Sequence, residues 1–147
     1  MSISFFDTIV SLKCLNEIIV GDNVQDEKIL IETFIKHALI AEQTQMTGDY
    51  KRGNKSNKAL LAILDQLKQS SELATAVLDE LFLHENSFVL YVCSIYAIIV
   101  DYRRADAVKM LEKIAGIEQN NMTGFHAGIV LEQYESGELF KLYGVCK

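Results

Sequence analysis

Proline and tryptophan are both missing from this chain of 147 residues. Proline punctuates sharp turns and edge strands, so a chain without it suits helices joined by short polar links. Cysteine is scarce: Cys14, Cys93 and Cys146 stand far apart with no C-x-x-C pair. That count and spacing exclude a disulfide framework and a clustered zinc site. Positive charge is the minority, with 14 Lys and Arg against 20 Asp and Glu and a formal net charge of −6. Phosphate-backbone binding needs clustered cations, so the balance argues against nucleic-acid partners. No basic leader with an apolar core opens the sequence, and no apolar run reaches the about 20 residues of a membrane span. The chain reads as cytoplasmic, with no membrane association. Extended period-2 alternation, the signature of a half-buried strand, is missing as well.

What the chain does have is a thirteen-residue apolar run, Phe88 to Val100, interrupted only by Ser94 and the hydroxyls of Tyr91 and Tyr96. A helix apolar around its whole circumference belongs in the interior, with neighbours on several sides. Residues 88–100 are therefore expected to be the least exposed helix of an all-α domain. Half the residues are apolar and 23% are charged, which is a globular composition.

Around this run the helix signals recur at short intervals. Ile3, Phe6, Ile9, Val10, Leu12 and Leu15 suggest one short helix or two loose turns, broken at Gly21-Asp22-Asn23. Asp26 is expected to open a helix that Gly48 stops, and Asp49 to cap the next, which carries Leu60, Ile63, Leu64 and Leu67. Ser70-Ser71 supplies a turn and a cap for residues 72–83, and residues 84–87 link to the central helix. Arg103 begins a further helix ended by Gly116, and Met122-Thr123-Gly124 leads into the last clear one, closed by Gly137. The whole reads as one domain, 1–147, with residues 1–25 as an N-terminal cap segment and 138–147 as a C-terminal tail. Residues 72–83 with 88–101, and 104–116 with 124–136, have the lengths of antiparallel helix pairs. Stacked pairs with a buried inner helix are the build of armadillo and HEAT repeats; an irregular helical bundle is the alternative.

Two segments carry a family resemblance. Gly48-Asp49-Tyr50-Lys51-Arg52-Gly53-Asn54-Lys55 resembles the Gly-Asp-x-Lys-x-x-Asn-Lys element of a small bacterial armadillo-like family of uncharacterised function. The second runs from Leu81, His84, Glu85, Asn86 and Val89 through Ala105, Leu111, Glu112, Ile114 and Ala115. It continues to Gly124, Phe125, Ala127, Leu131, Tyr134 and Gly137, and is similar to that family's later repeats. The likeness spans residues 32–140. It departs at Arg103-Arg104, where the family usually has proline, and at Leu90-Tyr91, where it usually has arginine. The resemblance implies an armadillo/HEAT-like stack. Related proteins of this size often stand beside secreted bacterial toxins as immunity proteins, which implies toxin neutralisation.

No catalytic constellation emerges, and the chain reads as non-enzymatic, with no catalytic residue, metal or cofactor assigned. Lys51, Arg52, Lys55 and Lys58 cluster at a helix N-terminus, where backbone N–H groups can hold an anion. Asn54, however, stands where a P-loop needs lysine, and Asp49 competes for the helix end. Asn54 reads more simply as a brace between turns. His37, His84 and His126 lack the H-E-x-x-H spacing of a zinc site. Cys93 and Ser94 sit inside the buried run, and Cys146 is near the end.

Charge distribution is the sharpest functional hint. Residues 49–71 hold five Lys/Arg against two acids, whereas residues 72–102 hold no Lys or Arg and five acids, Glu72, Asp79, Glu80, Glu85 and Asp101. These five are the candidate partner-binding residues. An acidic surface suits a basic protein, such as a nuclease toxin whose active site binds phosphates. The expected function is thus an immunity protein that occludes a cognate toxin's active site. The alternative is a structural or regulatory helical-repeat adaptor, self-associating or bound to another protein.

Overall fold

Two glycines end helices by the same means. Gly48 and Gly137 take φ of +76° and +84°, a left-handed conformation that a side chain disfavours and glycine enters freely. In the computed structural model, which describes residues 20–117 and 121–144 and side chains from residue 27 onward, seven helices account for most of the described residues. They are α1 (Val20–Thr47), α2 (Tyr50–Gln69), α3 (Ser71–Leu81), α4 (Ser87–Ile99), α5 (Arg104–Ile117), α6 (Met122–Ser136) and α7 (Glu138–Leu142). No strand occurs among the described residues, so the protein is all-helical.

Short polar side chains start the helices where the sequence places them. Asp49 accepts the Arg52 N–H at 3.3 Å, Ser70 accepts Leu73 N–H at 3.1 Å and Asn86 accepts Val89 N–H at 2.9 Å. Asn121 does the same for Gly124 N–H at 2.9 Å. Each satisfies one of the donors that a helix start leaves without a partner.

Three boundaries differ from expectation. Helix α1 begins at Val20 and runs through Gly21-Asp22-Asn23 instead of starting at Asp26. A glycine inside a helix costs only about 1 kcal/mol against alanine, which a long packed helix absorbs. Helix α5 likewise passes Gly116 to reach Ile117. Residues 138–142, expected in a tail, form α7 with Leu139 and Phe140 fully buried. The expected helix or turns over residues 3–19, together with Cys14 and Cys146, lie outside the described residues.

Helices α1 and α2 form an antiparallel hairpin. His37 Nδ1 lies 3.2 Å from Ser56 Oγ, and a Cβ on Gly53 would come within 2.7 Å of Thr44 Oγ1, so only glycine lets the two backbones approach this closely. Helix α4 lies at the centre, against α1, α3, α5 and α6. Ten of its thirteen residues are buried, among them Val89, Val92, Ile95 and Ile99. The thirteen-residue apolar run is thus the core helix, as its composition requires. Ser94 is the one dissonant residue: its Oγ is buried and has no hydrogen-bond partner.

Candidate functional site

The five candidate acids divide into two groups, and the turn between α4 and α5 is the reason. Asp101 and Arg103 both have positive φ, 59° and 52°, a conformation that costs a side-chain-bearing residue roughly 1–2 kcal/mol. A polar network holds it. The Tyr102 hydroxyl donates to Asp79 Oδ1 at 2.7 Å, and Arg103 Nη1 donates to the same oxygen at 3.1 Å. Arg103 Nε donates to Asp106 Oδ2 at 3.0 Å, and the guanidinium lies 4.6 Å from the centre of the Phe82 ring. Arg104 donates twice to the Ile98 carbonyl, at 3.2 and 3.0 Å, pairs with Asp101 at 3.5 Å and faces the Phe140 ring at 5.1 Å. The hydrogen bond to Asp79 is the main cause that pushes the Tyr102 phenol up. Bonding to Asp106 is the first cause that raises Arg103 further above its ordinary value.

Asp79 and Asp101 are therefore committed to fixing a turn. Arg103 and Arg104 brace the connection by ion pairs and by packing on the Phe82 and Phe140 rings. Glu72 and Glu80 are exposed on α3, and Glu85 is exposed in the link that follows. None of these three glutamates makes an ion pair among the described residues. The structure thus brings the five acids onto one helix and the two turns near it, with Asp79 and Asp101 engaged by arginines and the three glutamates without an ion pair among the described residues.

The other candidates resolve into structural detail. Lys51, Arg52, Lys55 and Lys58 are exposed on the first turns of α2, and Arg52 Nη1 donates to Gln43 Oε1 at 3.3 Å. Asp49 holds the helix end there. Asn54 is exposed and braces no turn, contrary to the expectation for it, because its helical position turns the amide outward. Asn86 is the bracing amide: besides its cap it donates through Nδ2 to Glu42 Oε1 at 3.2 Å, while its own N–H donates to His84 Nδ1 at 3.0 Å. The His84-Glu85-Asn86 element is thus explained largely by the entry into α4. Burial, with Lys36 and Lys55 nearby, pushes the His37 imidazole below its ordinary value. Burial pushes the Cys93 thiol far up, and its Sγ rests 3.9 Å from the Leu78 carbonyl, which suits a small apolar filler.

Two features were not legible in the chain. The first is a groove of about 660 Å³ between α2 and α4, closed at one side by α6 and α7. Leu61, Leu64 and Lys68 line it from α2, Tyr91 and Ile95 from α4, and Tyr143 from beyond α7. Lys68 Nζ donates to the Tyr143 carbonyl at 3.1 Å across one end. Burial pushes the Tyr91 phenol up to about 12 and raises Tyr96 and Tyr143 too. The alternation of large apolar residues on α2 and α4 signals burial but not which faces meet. The second feature is a strip on α6 where Met122, Phe125 and Ile129 are exposed, Phe125 by 62%. Their spacing of three and four sets them on one side of the helix.

No helix among the described residues is long and apolar enough to cross a membrane. Comparison with known proteins finds no match among family models, curated proteins or solved structures.

Proposed function

We propose that this protein is a non-enzymatic protein-binding module with an armadillo/HEAT-like stacking of helix pairs. Its role in this reading is that of a cytoplasmic immunity protein of a bacterium, which neutralises a cognate secreted toxin by covering its active site. The observation that carries the reading is the exposed, unpaired trio Glu72, Glu80 and Glu85 beside a turn that Arg103 and Arg104 hold rigid. A preformed acidic edge gives up little conformational entropy on binding and steers a basic partner toward itself. Such a partner is a nuclease with a phosphate-binding cleft, and a stable cover of it buries about 800 Å² on each side.

The test is co-expression with the secreted toxin encoded beside it. The unaltered protein restores growth; the triple variant Glu72→Lys, Glu80→Lys, Glu85→Lys does not, while keeping its melting temperature. Exposed charges of this kind change stability by less than about 0.5 kcal/mol each. Rim charges act chiefly on the association rate, so the variant's binding should also lose its salt dependence. Undiminished protection by the triple variant moves the interface off α3.

A second reading, that of a self-associating structural or regulatory adaptor, is favoured by the open strip Met122, Phe125 and Ile129. Sedimentation of the full chain separates them: a dimer that Phe125→Ser dissolves supports the adaptor.

A further inference from the structure

One buried polar side chain lines the groove between α2 and α4 with nothing to bond to. Tyr96 is only 3% exposed, and its hydroxyl has no hydrogen-bond partner among the described residues. Ser94 Oγ, by contrast, is sealed inside the core, away from any such opening. The Tyr96 ring is held edge-on by Phe34 at 5.7 Å and by Tyr143 at 6.3 Å, which fixes the direction of its phenol. A hydroxyl held in this way is satisfied by whatever enters the groove, be it water or a ligand oxygen.

The rest of the lining narrows the ligand. Leu60, Leu64, Val92, Ile95 and Leu139 are buried and supply apolar walls. Among the described residues that line the groove two are charged, Asp65 and Lys68, and they lie 3.9 Å apart. Lys68 also donates to the Tyr143 carbonyl at 3.1 Å, so its charge is already engaged. An ionised ligand would lose its hydration there without meeting a free counter-charge. A ligand with no polar atom would displace the water from Tyr96 and leave the hydroxyl unpaired. The volume of about 660 Å³ falls within the roughly 300–1,000 Å³ of small-molecule sites.

We propose that the groove between α2 and α4 binds a neutral small molecule with an apolar body and a carbonyl oxygen, which accepts a hydrogen bond from the Tyr96 hydroxyl. The apolar body lies between Leu64 of α2 and Ile95 of α4. Glu72, Glu80 and Glu85 do not line the groove, so the proposal stands apart from the reading of that acidic edge.

The test titrates three probes of similar size into the full chain with isotope-labelled methyl groups, followed by NMR. The probes are benzylacetone, a neutral ketone; butylbenzene, its hydrocarbon counterpart; and hydrocinnamate, an anion. Benzylacetone is expected to move the Leu64 and Ile95 signals, leave Ile129 on α6 in place, and bind more tightly than the other two. Tyr96→Phe removes only the unpartnered hydroxyl, so the fold stays and ketone affinity drops about three- to tenfold while butylbenzene affinity does not. Leu61→Trp, at a partly exposed position on the groove, should fill it and abolish binding of every probe. Should that variant fail to fold, the contrast of ketone and hydrocarbon in Tyr96→Phe still decides. No shift at millimolar ketone overturns the proposal, as does tighter binding of hydrocinnamate. Equal affinity for ketone and hydrocarbon, unmoved by Tyr96→Phe, overturns it too. Groove signals that move with protein concentration alone overturn it in favour of a second copy as occupant.

Discussion

Helices α4 and α6 pack on each other but differ in cover: ten of the thirteen residues of α4 are buried, against four of the fifteen in α6. Helix α4 has neighbours in α1, α3, α5 and α6, and its Tyr91 and Ile95 line the groove toward α2. Helix α6 packs on α4, α5 and α7 and leaves Met122, Phe125 and Ile129 open. The two helices differ in composition, α4 carrying no charged residue and α6 carrying Glu132 and Glu135, and in the number of helices packed on them.

The hardest blow to this contrast is a charge at its buried end. Ile95→Asp places a carboxylate at a site only 4% exposed, on the most buried helix. Burying an unpaired polar group costs several kcal/mol, so this variant should be unfolded or molten by circular dichroism and near-ultraviolet spectra. A melting temperature near that of the parent contradicts the covered status of α4.

Alkali applies a gentler version of the same test. Tyr91 and Tyr96 on α4 and Tyr143 beyond α7 are all raised by burial, Tyr91 to about 12. In the unfolded chain these phenols ionise near the ordinary value of about 10, so above that pH the unfolded state loses protons that the folded state keeps. Stability is fully present below about pH 10 and falls as pH rises toward the folded values. Thermal melts from about pH 9 to about pH 12 should show a steady decline that a Tyr91→Phe variant reduces. A flat profile contradicts the burial of these rings.

Ser94→Ala should move stability the other way. The hydroxyl is buried and without a partner, so removing it relieves a desolvation cost of about 1 kcal/mol and fills the helix with a better helix former. Denaturant unfolding measures the gain; a loss would mean that the hydroxyl holds a water. The smallest effect belongs to α6. Phe125→Ser removes a ring that is already 62% exposed, and the unfolding free energy should change by less than about 0.5 kcal/mol. A larger loss would show that the strip is covered in the intact protein.

Much of the fold was readable because its signals are local. Asp49, Ser70, Gly48 and Gly137 act on backbone groups within a few residues, and the run from Phe88 to Val100 declares its own burial by having no polar face. Gly21 and Gly116 misled for the complementary reason: a local breaker yields when the rest of the helix is well packed. The site was less readable. Asp79 and Asp101 look like unpaired acids in one dimension, and only the turn at Asp101-Tyr102-Arg103 shows that they meet Arg103 and Arg104.

By itself, then, the order of residues determined an all-helical chain, most of its caps and stops, and the identity of its central helix, because capping, glycine conformation and apolar periodicity each operate within one or two helical turns. Tertiary structure alone decided that Arg103 and Arg104 pair with two of the five acids, that a groove separates α2 from α4, and that α6 keeps one face open. Those outcomes depend on which helices meet, and contacts between residues such as Tyr102 and Asp79, or Lys68 and Tyr143, are distant in the chain and written in no local pattern.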